Sequence, residues 1–357
     1  MIQPDTNHEP EIICERRGAA GVATLNRPKA LNALTHGMVS ALAEALDRWE
    51  QDPEVTRVVI RGSGEKAFCA GGDIRQLYEA GRAGRTDEAL RFWADEYRLN
   101  VRIKRYTKPY IALIDGIVMG GGVGVSLHGQ YRVAGERYSF AMPEVGIGFF
   151  PDVGATYALP RLPGETGLYL ALTGARANAA EAGAIGLATH RVTSSSLPAV
   201  QAALEAGEPV PEVLARATKP PAGAGPLIEH RRLIDRCFCG SSVEEILAAL
   251  DREGEAGSAF ARDTAALIRT KAPSSLAIAL AQVRRGRDLS FEDSMRAEYR
   301  IVSRVAAGAD FYEGVRAVIV DRDGRPRWNP DSLAGLPAGF ADRHFAPLDG
   351  PELDLPA

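Results

Sequence analysis

The sequence predicts a layered α/β core followed by a helical region, and three observations carry that reading. Strand-like and helix-like runs alternate up to about residue 195. Two of the strands end in glycine-rich turns that open helices. From about Ser196 the pattern becomes helices joined by polar, Pro/Gly-marked connections.

Taken in order, Glu11–Arg16 and Gly21–Leu25 read as a hairpin, with Gly18-Ala-Ala-Gly21 as the connection. Thr35–Gln51 reads as a helix: Thr35 can cap it, and Met38, Leu42, Ala45, Leu46 and Trp49 share one face. Strand Val55–Ile60 follows, and Phe68-Cys-Ala70-Gly71-Gly72-Asp73 then leads into a helix. Strand Tyr110–Ile114 runs into Gly120-Gly121-Gly122 and a helix holding Ser126 and His128. Short strands near Tyr131–Ala134 and Tyr138–Met142 come next, then helices over Leu159–Thr173 and Ala179–Ile185. Beyond Ser196 the helical candidates are Pro209–Lys219, Pro226–Arg236, Ser242–Arg252, Gly257–Arg269, Ser274–Arg287 and Ser290–Ala306. Pro220–Pro226 has the composition of a linker, and the close, Asp321–Pro330 with the Pro-rich tail beyond it, is expected to be loose.

Composition excludes several function classes. The chain has 357 residues, 45% of them hydrophobic, enough for a full core. A net charge of −4 gives no basic field for nucleic acid. No apolar run reaches bilayer length, and Met1–Pro10 is acidic and polar, so a soluble cytoplasmic protein is expected. Cys14, Cys69, Cys237 and Cys239 are expected as free thiols. With six scattered histidines they complete no metal site, so neither metal nor cofactor is expected. Homo-oligomer formation stays open.

Two motif-like stretches fail on their own terms. Gly62-Ser-Gly64-Glu-Lys-Ala67 has dinucleotide-fingerprint spacing, but its helix should start inside the motif, and Phe68-Cys-Ala-Gly-Gly intervenes. Ser126 lacks the final glycine of a nucleophile elbow.

The chemistry-bearing residues cluster in two places. The turns at Ala70–Gly72 and Gly120–Gly122 could each aim a backbone N–H at one carbonyl oxygen, making an oxyanion hole, or they could be ordinary connections. Glu144 and Asp152 lie in the apolar loop Phe140–Gly154, a setting that raises carboxylate pKa values toward catalytic use. Asp152 could equally cap a following helix; Glu144 has no helical pattern after it to cap.

Phe68-Cys-Ala-Gly-Gly-Asp-Ile-Arg75, the Gly120–Gly122 turn and Met142-Pro-Glu-Val-Gly-Ile-Gly-Phe-Phe-Pro-Asp-Val-Gly154 resemble the crotonase (enoyl-CoA hydratase/isomerase) superfamily. Within it they are most similar to the 3-hydroxyisobutyryl-CoA hydrolases. Asn26–Leu34, Asp95–Asn100 and Asp310–Val318 support the resemblance, which runs from about Glu11 to Pro330.

The resemblance implies a spiral of ββα units with an active site over residues 11–195, a helical region over 196–330 and a tail over 331–357. It implies hydrolysis of 3-hydroxyisobutyryl-CoA, as in valine degradation, with CoA as part of the substrate. Ala70 and Gly121 would hold the thioester oxygen, and Glu144 and Asp152 would supply the carboxylates. Glu96, Gly71, Gly72, Asp73 and Gly120 would contact substrate, although spacing alone makes Glu96 an exposed helix residue. Lys29, Arg102, Lys104 and Arg105 could meet CoA phosphates or form a solvated face.

The hydratases of the superfamily carry a glutamate where this chain has Gly124 and typically lack an acid at Asp152, which points away from hydration. The alternatives are a 3-hydroxypropionyl-CoA hydrolase, a residual hydratase/isomerase, and a non-catalytic CoA-binding protein.

Overall fold

The computed structural model describes residues 9–220 and 225–355; within the linker-like run, residues 221–224 fall outside that description. The strands are β1 (Ile12–Arg17), β2 (Ala20–Leu25), β3 (Arg57–Gly62), β4 (Ala67–Cys69), β5 (Tyr110–Ile114), β6 (Ile117–Met119), β7 (Tyr131–Ala134), β8 (Ser139–Ala141), β9 (Ala177–Asn178) and β10 (His190–Arg191). They form two sheets, β1-β2-β3-β5-β7-β10 and β4-β6-β8-β9. Each successive pair gives one strand to either sheet: β3 and β4, β5 and β6, β7 and β8. This stepwise alternation is the ββα spiral. Among the described strands only β1/β2 and β8/β9 pair antiparallel.

The first helix, α1 (His36–Gln51), begins where Thr35 Oγ1 accepts the Met38 N–H, a cap worth about 1 kcal/mol. All five residues of its expected apolar face are buried. Helices α2 (Ile74–Arg82) and α3 (Thr86–Lys104) connect β4 to β5, and the glycines after β6 open the short α4 (Gly121–Gly124). The Gly62–Ala67 stretch turns into strand β4 rather than a helix, so the dinucleotide spacing is accidental.

The large sheet is covered on both faces, which explains its near-continuous apolar strands. Val58, Ile60 and Ala112 belong to the main core cluster, while Val59, Ile111 and Val133 pack with Val200, Leu204 and Leu214. The main cluster runs from Ile12 to Leu353 and includes both the spiral and the C-terminal helices.

Several expectations differ from the structure. The helix after the triple glycine ends at Gly124 and does not hold Ser126 or His128. Pro226–Arg236 divides into two helices, Pro226–Glu229 and Arg231–Cys237. Leu159–Thr173 is not one helix: a 3-10 turn at Leu159–Arg161 precedes the helix Thr166–Thr173. Between them Pro163 lacks an N–H, and Gly164 takes φ +59°. Over the described residues 321–355 the close is docked rather than loose: Arg316 pairs with Asp321 and Asp323, and the Asn329 N–H donates to Asp310. Phe340–Phe345 is a helix, Leu353 is buried, and Glu352 accepts from Arg300 Nε at 2.9 Å and from the Leu348 N–H at 3.1 Å.

Candidate active site

The site begins with the two glycine turns. Gly71 takes φ +117° and Gly120 takes φ +44°, ψ −124°, conformations that a side chain would strain. They bring the turns into contact: a Cβ placed on Gly121 would lie 3.2 Å from the Gly72 nitrogen. Among the described residues, no acceptor receives the N–H of Gly72 or of Gly121. The N–H of Ala70, by contrast, donates to the Leu31 carbonyl at 3.0 Å. Ala70 therefore lines the cavity without a free donor, whereas Gly72 and Gly121 line it with theirs unengaged.

These turns form one wall of a cavity of about 400 Å³ that also holds Glu96, Glu144 and Asp152. Glu144 starts a 3-10 turn, Glu144–Ile147, and its Oε1 is 3.2 Å from where a Cβ on Gly120 would stand. Its Oε2 is buried with no hydrogen-bond partner. Burial first, and the charge of Asp152 second, hold its carboxyl well above the usual carboxylate range.

Glu96 is only 2% exposed, not the solvent-facing residue that spacing suggests. Its Oε1 presses against Gly121 and has no partner either, and burial followed by Asp152 and Glu298 pushes its carboxyl up. Two carboxylates thus turn unpaired oxygens toward one apolar cavity, a costly arrangement unless a ligand or proton meets them.

Asp152 does not cap a helix. Its Oδ2 accepts the Tyr97 hydroxyl at 2.9 Å, and burial raises its carboxyl to about 7 against the pull of that bond. The next residue, Val153, takes φ +53°, a conformation costing a β-branched residue roughly 1–3 kcal/mol. Its carbonyl is 2.6 Å from His128 Nε2. The helix that follows, α5 (Ala155–Ala158), is capped from elsewhere: Glu298 accepts the N–H groups of Gly154 at 2.8 Å and Thr156 at 2.9 Å. Burial, then Asp152, raises the Glu298 carboxyl to about 8.

Other expected residues stand apart. The Asp73 carboxylate pairs with Arg27 at 3.0 Å and caps α2, and it does not line the cavity. Arg102 pairs with Asp47 and Glu50, Arg105 with Glu292, and Lys104 lies over the Tyr157 ring at 5.3 Å. Neither these nor Lys29 reaches the cavity. Ser126 Oγ donates to the Gly122 carbonyl at 2.7 Å, which accounts for it structurally. The cation that does line the cavity is Lys271, to which no sequence pattern points.

Gly124 is enclosed as well. A Cβ there would come within 2.8 Å of Asn100 Nδ2 and 2.9 Å of Val153 Cβ, leaving no room for an acid.

Residues 20–345 match the family model described as enoyl-CoA hydratase/isomerase. The chain belongs to that family. A Danio rerio protein named "3-hydroxyisobutyryl-CoA hydrolase, mitochondrial" is 46% identical, the match covering 97% of this chain and 92% of the relative. The Homo sapiens protein of the same name is 42% identical, over 98% and 92%. Among family members of known structure, one described as a carnitinyl-CoA dehydratase from Mycobacterium thermoresistibile superposes with a TM-score of 0.91. It is 44% identical, and the match covers 97% of this chain and 99% of that one. Another, described as an enoyl-CoA hydratase from Rhodobacter sphaeroides 2.4.1, also gives 0.91 at 38% identity, over 97% and 100%. These neighbours place the chain in the crotonase fold.

Proposed function

We propose that this chain hydrolyses a short 3-hydroxyacyl-CoA thioester, 3-hydroxyisobutyryl-CoA above others, to the free hydroxy acid and CoA. The observation that carries the reading is the buried Glu144 carboxylate set against a glycine wall with two unengaged N–H groups, together with a Gly124 that leaves no space for a second hydration acid. That absence favours hydrolysis over the hydration and dehydration named for the two structural neighbours. The names of the full-length relatives support the acyl group.

In this mechanism the thioester oxygen lies against the Gly72 and Gly121 N–H groups, an oxyanion hole made of backbone. One such donor lowers the barrier by roughly 2.7–4 kcal/mol. Glu144 either takes a proton from water as the oxygen attacks, or attacks the carbonyl itself to form a mixed anhydride that water then opens. The C–S bond breaks as the tetrahedral carbon collapses. The departing sulfur leaves as thiolate, since a thiol pKa of about 8.5 makes a strong general acid unnecessary. Once ionised, the Glu144 carboxylate is a stronger base than an exposed one, because burial raises its pKa. Asp152 receives the acyl 3-hydroxyl, and Glu96 contacts the substrate beside Gly121.

No metal or cofactor takes part in this scheme. The reaction fits valine degradation. The cytoplasmic placement rests on composition and free thiols, while the vertebrate relatives are named mitochondrial. Among the described residues no helix is long and apolar enough to cross a membrane.

The acyl group is tested by thiol release over 3-hydroxyisobutyryl-, 3-hydroxypropionyl- and isobutyryl-CoA, with Asp152→Ala alongside the wild type. A charge-assisted hydrogen bond is worth about 1.5–3 kcal/mol, so kcat/KM for 3-hydroxyisobutyryl-CoA should fall at least about tenfold in the variant. Isobutyryl-CoA, with no hydroxyl to offer, should change little. Equal losses on both esters would move Asp152 from hydroxyl recognition to the chemistry itself.

A further inference from the structure

The turn that follows Asp152 is held by a residue nearly 150 positions later in the chain. Glu298 lies fully buried on the helix Phe291–Val305, and its two carboxylate oxygens each accept one backbone N–H, from Gly154 and from Thr156. The Gly154 N–H sits immediately beyond Val153, whose positive φ makes the turn strained, and the Thr156 N–H lies in the first turn of the helix that follows. Such backbone persists only when surrounding bonds over-determine it. Gln282 adds to the hold, donating to Thr156 Oγ1 at 2.7 Å and to the Pro151 carbonyl. A buried carboxylate is a costly cap when a neutral acceptor would satisfy either N–H. This one also faces Asp152, a like charge, which contributes to raising its carboxyl.

We propose that Glu298 is a positioning residue for the reaction: by clamping the Val153–Gly154 turn it sets the direction in which Asp152 meets the acyl group. The proposal rests on reading Asp152 as a substrate-contacting group. It makes the C-terminal helical region part of the catalytic apparatus, acting through Asp152 without touching substrate.

The test is a double-mutant cycle on the full chain with Glu298→Gln and Asp152→Ala, reading kcat/KM on 3-hydroxyisobutyryl- and isobutyryl-CoA. A glutamine keeps the shape but has one acceptor oxygen for two N–H groups. Glu298→Gln should lose about tenfold or more on the hydroxy ester, with the same preference between esters as Asp152→Ala. On the Asp152→Ala background its further effect should shrink to within about threefold. A merely structural residue would instead lower both esters equally and multiply with Asp152→Ala; either result overturns the proposal, as does near-normal activity in Glu298→Gln. Glu298→Asp, which keeps both oxygens, should recover part of the loss, and it carries the cycle if the glutamine variant does not fold. If the wild type releases thiol from neither ester, the functional reading is what fails. The same cycle, run on whichever acyl-CoA is turned over, then still decides whether Glu298 acts through Asp152.

Discussion

Glu144→Gln should lower thiol release by roughly 10²–10⁴-fold while binding of the CoA ester persists, because the amide keeps the side chain's shape and loses its basicity. The variant should not be less stable. Folding raises the Glu144 pKa, so the native chain keeps a proton there that the unfolded chain has released above the ordinary carboxylate range. Glu144 therefore costs increasing stability as pH rises from that range through its raised value, and a neutral glutamine removes the cost. Unfolding at neutral pH should occur at the same or a higher temperature than in the wild type. A residual rate within a few-fold of normal would remove Glu144 from the chemistry. In a single turnover of enzyme carrying ¹⁸O in its carboxylates, label in the product marks the anhydride route; label from solvent alone marks general-base catalysis.

Gly121→Val is expected to have the second largest effect. The Gly121 backbone φ is one that any residue adopts, so space rather than conformation excludes a side chain there. A Cβ would stand 3.0 Å from Leu34 Cδ1 and 3.2 Å from the Gly72 nitrogen, and would collide with the Glu96 carboxylate. It would fill the position proposed for the thioester oxygen, and losing a single oxyanion donor costs about 10²–10³-fold in kcat. Overpacking of this kind costs roughly 1–3 kcal/mol of stability, so thermal melts must accompany the kinetics. Gly121→Ala adds only the Cβ, and a folded alanine variant with near-normal turnover would return the turn to a structural role.

The sequence made the glycine turns and the loop acids legible because each depends on local features: a strand's end, missing Cβ atoms, carboxylates among apolar residues. It could not show which N–H is free. Ala70 and Gly72 look alike in sequence, and only the pairing of Ala70 with the Leu31 carbonyl separates them. Spacing misplaced Glu96, whose sequence neighbours Asp95, Arg98 and Arg102 suggest an exposed face, whereas in the structure it and Glu298 both lie on buried helix faces. Glu298 sits among Ser294, Met295, Ile301 and Val302 on the apolar face of its helix, and Glu96 among Phe92, Trp93, Leu99 and Asn100 on α3. A carboxylate on such a face must find a partner or a function. Lys271 left no such trace, since it lies between helices, and only the tertiary fold brings it beside Gly146.

The proposed activity is cleavage of a thioester without hydration of a double bond. Purified chain should be given 3-hydroxyisobutyryl-CoA and crotonyl-CoA at equal concentration, following free thiol for the first and loss of the conjugated enoyl absorbance for the second. Rapid thiol release with hydration at least about 10²-fold slower is the predicted result, because Gly124 leaves out one of the two acid–base groups around the attacking water. Hydration of crotonyl-CoA as fast as thiol release, or faster, would contradict it.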